Sequence, residues 1–245
     1  MLELNALAWV VLAIGAVVIG LSKAALPGAG MIAVVLFAAV LPVKESTGTI
    51  LLLLIVGDIF ALLAYRRHAD LPALVRLIPA VVVGIVAGTL FLAFSSDEWV
   101  RRTIGVILLV VVAITLWRRR TIADASAVAH PAVAAFYGTL GGFTTMVANA
   151  AGPVMSMYFL AARLDVKAFL GTAAWFFAVV NIAKVPFSIG LGLITVPGLV
   201  LDLILVPAVI AGALVGRRIA ARISQRLFEQ IVIALTVIGA VYLLI

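Results

Sequence analysis

GLSKAALPGAG, Gly20 to Gly30, sets a lysine, three glycines and a proline between two strongly apolar runs. Glycine and proline disfavour helix interiors, so the stretch reads as a turn at which a helix breaks inside hydrophobic surroundings. Composition says what those surroundings are. The 245 residues are 66% hydrophobic and 11% charged, against roughly 45–50% and about 25% in soluble domains, and the mean hydropathy is +1.35. Several runs exceed the ~18 apolar residues that mark a helix crossing a ~30 Å hydrocarbon core. They are continuous and lack the dyad alternation of barrel strands. The class is an all-α polytopic membrane protein, with the lipid bilayer as its first partner.

Several functions are excluded at once. There is no cysteine, hence no disulfide, thiolate metal site or cysteine nucleophile. The two histidines, His68 and His130, lie in short polar connections and give no metal site. No HExxH, Gly-x-Ser-x-Gly or nucleotide-binding motif is present, so neither an enzyme nor an ATP-driven pump is expected. The +7 charge reflects loops facing anionic lipid, not nucleic acid. Glu3 precedes the first apolar run and Lys23 follows it where a small-residue cleavage site would stand, so that run is expected to remain in the mature chain.

Punctuation divides the chain into ten helical segments, 5–22, 29–41, 45–65, 72–94 and 99–117, then 131–147, 150–163, 167–188, 198–216 and 226–244. Between the two groups lies the longest polar connection, RRRTIADASAVAH. The expected organisation is a first membrane repeat over 1–117, a cytoplasmic linker over 118–130 and a second repeat over 131–245. The groups resemble each other: LPVKESTGT (Leu41–Thr49) matches LDVKAFLGT (Leu164–Thr172) at an offset of 123, which sets Asp58 opposite Asn181. With a slightly larger offset, IPAVVVGIVAG (Ile78–Gly88) matches VPAVIAGALVG (Val206–Gly216). An internal duplication explains both.

Twelve basic residues fall in the connections on one side, among them Arg66, Arg67, Arg118 to Arg120, Arg163, Lys167, Arg217 and Arg218, against Lys44, Arg101 and Arg102 on the other. The basic side is the cytoplasm. Five segments per repeat is an odd number, so the halves enter from opposite sides as inverted repeats. Four plus four spans would instead send RRIAARISQR outward, against the charge bias.

Segments 29–41 and 150–163 have 13 and 14 residues, about 20 Å of helix. Each is expected to form, with its predecessor, a broken re-entrant hairpin turning at GLSKAALPGAG or at GGFTTMVANAAGP. Short, Gly/Pro-interrupted segments at matching places in inverted halves point to a transporter binding site. Helix N-termini there attract anions. Lys23 adds a full charge, Thr144, Thr145 and Asn149 add neutral donors, and Gly28, Gly30, Gly142 and Gly152 allow close approach. A small anionic substrate is the expected cargo, with Asn181 a further ligand. The competing reading makes Lys23 a snorkelling interfacial lysine. Asp58 lies deep in the third segment, where a carboxylate is costly unless partnered or protonated, and is the proton-coupling candidate, with a structural hydrogen bond at a helix interface as the alternative. Lys184 stands one turn beyond Asn181 on the same face, where the two together would neutralise substrate or pair with Asp58. Taken alone it is expected to snorkel outward beside Pro186, with Asp202 solvated and Tyr65 anchoring at the interface beside Arg66.

GLSKAALPGAGM, LPVKESTGT and GGFTTMVANAAGPVMSMYFL together resemble the TauE/SafE sulfite exporter family over nearly the whole chain. Gly20, Lys23, Gly28 and Gly30 fit the family's first glycine-rich element, in which Ala24, Ala25 and Pro27 depart from it. Gly141, Gly142, Asn149, Gly152 and Pro153 fit the second. The resemblance implies transport of sulfite, thiosulfate, a sulfonate or sulfoacetate across a prokaryotic inner membrane, with no cofactor. It specifies neither direction nor coupling ion. A passive anion channel and a non-transporting assembly partner are the alternatives, and a homodimer is compatible with the sequence.

Overall fold

The computed structural model describes residues 4–96 and 130–244, with positions 99, 106, 109, 110 and 113 between them. The expected fifth segment and the linker before His130 otherwise lie outside the described residues. The helices are α1 (Ala6–Ala24), α2 (Gly30–Ala38), α3 (Val43–Tyr65), α4 (Leu71–Phe94), α5 (Pro131–Ala148), α6 (Ala151–Ala161), α7 (Val166–Gly190), α8 (Val196–Ala220) and α9 (Gln225–Leu244). No strand occurs among the described residues. α1, α3, α4, α7 and α8 are long and apolar enough to cross a membrane.

The helices start where the sequence supplies caps. Asn5, Asp70, Asp165 and Thr195 each accept a first-turn backbone N–H at the heads of α1, α4, α7 and α8, answering donors that have no intrahelical partner. Pro79, Pro186 and Pro207 sit inside membrane helices, where neighbouring helices tolerate them. Leu7, Val10, Ile14 and Val17 of α1, like Val75, Ile78, Val82 and Val86 of α4, are exposed at helical spacing, and such stripes face lipid.

The closest helix contacts are made at glycines, and they come in matching sets. Gly20 of α1 lies on the backbone of α8 at Val209, and Gly142 of α5 lies on that of α4 at Val81, with no room for a Cβ at either. Gly212 of α8 meets the Val17 carbonyl of α1, and Gly84 of α4 meets the Thr139 carbonyl of α5. Gly216 packs on Leu21 and Ala24, while Gly88 packs on Phe143 and Met146. A shift of 122 carries residues 17, 20, 21 and 24 to 139, 142, 143 and 146; a shift of 128 carries 81, 84 and 88 to 209, 212 and 216. Each half's first helix therefore packs on the other half's fourth, through glycines at matching sequence offsets.

α3 and α7 pack together and run in opposite directions. Gly48 near the start of α3 lies against the Leu193 carbonyl just past the end of α7, and Gly171 near the start of α7 lies against the Tyr65 carbonyl at the end of α3. Tyr65 is not an interfacial anchor. It is buried, and its hydroxyl donates to the Ala24 carbonyl at 3.0 Å, which ties the end of α3 to the end of α1.

The short helices are shorter than the sequence suggests, at 9 residues for α2 and 11 for α6, or about 14 and 17 Å. Neither crosses a bilayer by itself. α6 is buried at nine of its eleven positions, Ala151 and Pro153 to Leu160, so the broken backbone beside it is covered by protein, as irregular structure at membrane depth requires.

Candidate functional site

The chain breaks twice. After α1 it passes through a 3-10 turn, Pro27–Ala29, into α2, and after α5 it turns at Asn149 into α6. Asn149 has φ 53° and ψ 27°, the left-handed region that asparagine adopts more readily than most residues. The two breaks touch, since a Cβ on Gly152 would come within 2.5 Å of the Pro27 carbonyl. Glycine is needed there for close approach, not for its φ. No side chain caps the N-terminus of α2 or α6, so first-turn N–H groups and the positive ends of two helices meet at one place.

Between them is a cavity of about 30 Å³ whose lining includes Lys23, Asp58, Thr145, Asn149, Phe177 and Asn181. Lys23 Nζ lies 2.7 Å from Asp58 Oδ1, with both side chains buried, and 4.3 Å from the centre of the Phe177 ring, where a cation is attracted to the π face. Asn181 Nδ2 donates to Asp58 Oδ2 at 2.7 Å. Residues that the duplication sets at equivalent positions thus bond each other directly. Asn181 Oδ1, by contrast, is buried with no hydrogen-bond partner among the described residues.

The second break holds a further ammonium. Lys184 is 1% exposed, and its Nζ donates to Asn149 Oδ1 at 2.7 Å and to Thr145 Oγ1 at 3.2 Å. Asn149 in turn donates to the Thr47 carbonyl at 3.1 Å, which pins the second turn to the start of α3. The site therefore gathers two ammonium groups, one carboxylate, two amides and the hydroxyls of Ser22 and Thr145 at a place where two helix N-termini converge. Charge and N–H donors in such a set have the chemistry to bind an anion.

The family model described as Sulfite exporter TauE/SafE matches residues 12–243. The chain belongs to the TauE/SafE sulfite exporter family. Comparison with curated proteins and with solved structures gave no match. Membership makes it a multi-pass inner-membrane protein of a transporter family, in keeping with the membrane-length helices.

Within this TauE/SafE chain, Lys23, Gly30, Asp58, Thr145, Asn149, Gly152 and Asn181 line the cavity. Three other residues expected there do not. Thr144 is buried and its hydroxyl donates to Leu140 of its own helix at 2.7 Å. Gly142 serves the α4–α5 contact, and Gly28 is buried within the 3-10 turn. Lys23 does not snorkel. Nor does Lys184, whose helix turns it inward onto the second break. The spacing carried that signal, since Lys184 stands three residues after Asn181 and residues so spaced share a helix face. Asp202 is not solvated either. It is 6% exposed and neither carboxylate oxygen has a hydrogen-bond partner among the described residues, because α8 packs that face inward, with Gly198 one turn earlier close to Thr49 of α3. Among the described residues no group of histidines and carboxylates could hold a metal ion.

Proposed function

We propose that this chain is a secondary transporter that carries a small sulfur-containing or organic anion, such as sulfite, a sulfonate or sulfoacetate, by alternating access to the cavity between the two broken turns. Lys23, Thr145, Asn149, Asn181 and the N–H groups around Gly30 and Gly152 hold the anion. The observation that supports this is the convergence of both breaks on one buried polar cavity, with Gly152 against Pro27 and Lys23 on the wall.

The cavity's size bears on mechanism. About 30 Å³ has room for two or three waters at roughly 10–15 Å³ each. A cavity of that size holds waters more readily than a sulfur oxyanion, and in this reading it widens as the turns separate. That favours a carrier over an open channel. Export is the easy direction electrically, because the cytoplasm repels each negative charge by ~2.3 kcal/mol per 100 mV. Asp58 is the proton-coupling residue in this reading: an anion reaching Lys23 competes with Asp58, and a proton on Asp58 frees the lysine. The halves lie in the membrane as inverted repeats with the basic connections inside, so a cysteine placed at His130 or Arg218 reacts with impermeant thiol reagents only from the cytoplasmic side.

Flux assays in liposomes holding the purified protein test the reading. Uptake of sulfite or a sulfonate should saturate, show counterflow and fall at least tenfold in Lys23→Gln. Non-saturating flux would replace the carrier by a channel. Normal flux in both Lys23→Gln and Asn149→Ala would point to an assembly partner.

A further inference from the structure

Counting the buried charges around the cavity leads past the general assignment of an anion site. Lys23 and Asp58 are a contact pair at 2.7 Å and cancel. Lys184 has no such partner. Its side chain is buried, and the acceptors it has found are the neutral oxygens of Thr145 and Asn149. Among the described residues no carboxylate makes an ion pair with it. Two ammonium groups against one carboxylate leave a surplus of one positive charge. A buried charge without a counter-charge is expensive, so the empty site is electrostatically incomplete.

Lys184 is not itself on the cavity wall, but both of its hydrogen-bond partners are. By accepting from Lys184, the Thr145 hydroxyl keeps its own hydrogen available to a ligand. A second deficit lies in the same cavity, the buried Asn181 Oδ1 that receives no donor. A cation lacking an anion and an acceptor lacking a donor mark a place built to receive something polar.

We propose that Lys184 supplies the site's one uncompensated positive charge and that the site therefore selects a singly charged oxyanion over a doubly charged one. This rests on the anion-carrier reading and narrows it. A monoanion brings the buried count to zero; a dianion leaves one negative charge buried, at a cost of the same kind as the empty site's. Lys23, although on the wall, contributes N–H donors and no net charge while Asp58 is ionised. The duplication offers a direct control, because the residue equivalent to Asp58 is already an asparagine, Asn181. Asp58→Asn makes the first half like the second and raises the surplus to two.

The test is calorimetric titration of the purified full chain in detergent with methanesulfonate, a monoanion, and sulfate, a dianion of similar sulfur–oxygen geometry, at equal ionic strength. The wild type should bind methanesulfonate at least tenfold more tightly than sulfate. Asp58→Asn should narrow or reverse that ratio by at least tenfold, and Lys184→Gln should weaken methanesulfonate binding at least tenfold. The proposal is overturned by equal wild-type affinities, by a ratio unchanged in Asp58→Asn, or by wild-type methanesulfonate affinity in a folded Lys184→Gln. Should Lys184→Gln not fold, the Asp58→Asn ratio decides alone. A folded wild type that binds neither probe, nor sulfite or sulfoacetate, overturns the anion-carrier reading and this proposal with it.

Discussion

The first break keeps its charge within reach of a carboxylate; the second borrows its charge from another helix and gives it neutral partners. In the first, Lys23 of α1 faces Asp58 of α3. In the second, the position equivalent to Lys23 is Thr145, and the ammonium comes from Lys184 of α7. The backbone differs in parallel, since Pro27 shapes the first turn and a left-handed Asn149 the equivalent place in the second. The helix packing around both breaks is nevertheless the same, glycine for glycine. The two breaks thus share a packing frame and differ in electrostatics, alike in their glycine contacts and unlike in charge.

That contrast makes the stability of the two lysine sites unequal. Lys23→Met leaves Asp58 buried and unpaired, and should cost about 3–5 kcal/mol in thermal or denaturant unfolding in detergent, most of it recovered in Lys23→Met/Asp58→Leu. A single variant as stable as the wild type would mean the pair does not hold the first half together. Lys184→Met loses hydrogen bonds to neutral groups but also removes a buried charge that has no counter-charge, so it should cost less, under about 1 kcal/mol. Equal losses at the two lysines would erase the asymmetry. The smallest effect belongs to Thr144→Ala, within about 0.5 kcal/mol and with flux near the wild type's, because that hydroxyl bonds its own helix. A large flux defect there would move the cavity wall one residue back along α5.

What the sequence disclosed was the frame. Apolar length located the spanning helices, the broken stretches located both turns, and the offset of 123 set Asp58 opposite Asn181, which the structure joins by a hydrogen bond. Partnership between charges was harder to read. Lys23 does have a negative group beside it, but that group is internal, the Asp58 carboxylate. Lys184 and Asp202 were assigned outward because each stands near a helix end, where long side chains or water offer an easy escape. Proximity to an end says nothing about which way the helix is rotated, and rotation is fixed by packing. The glycine seams turn α8, and α7 is set by its crossing with α3, so both side chains face protein. Thr144 and Thr145 show the limit most closely, since adjacent threonines differ by about 100° around a helix and only one reaches the cavity.

The flush glycine contacts join α1 to α8 and α4 to α5, and in each seam one helix comes from either half of the chain. Neither half thus owns a finished rigid body. A motion that parts the two halves of the sequence would have to open both seams, whereas α1 moving with α8 against α4 with α5 would leave each seam closed.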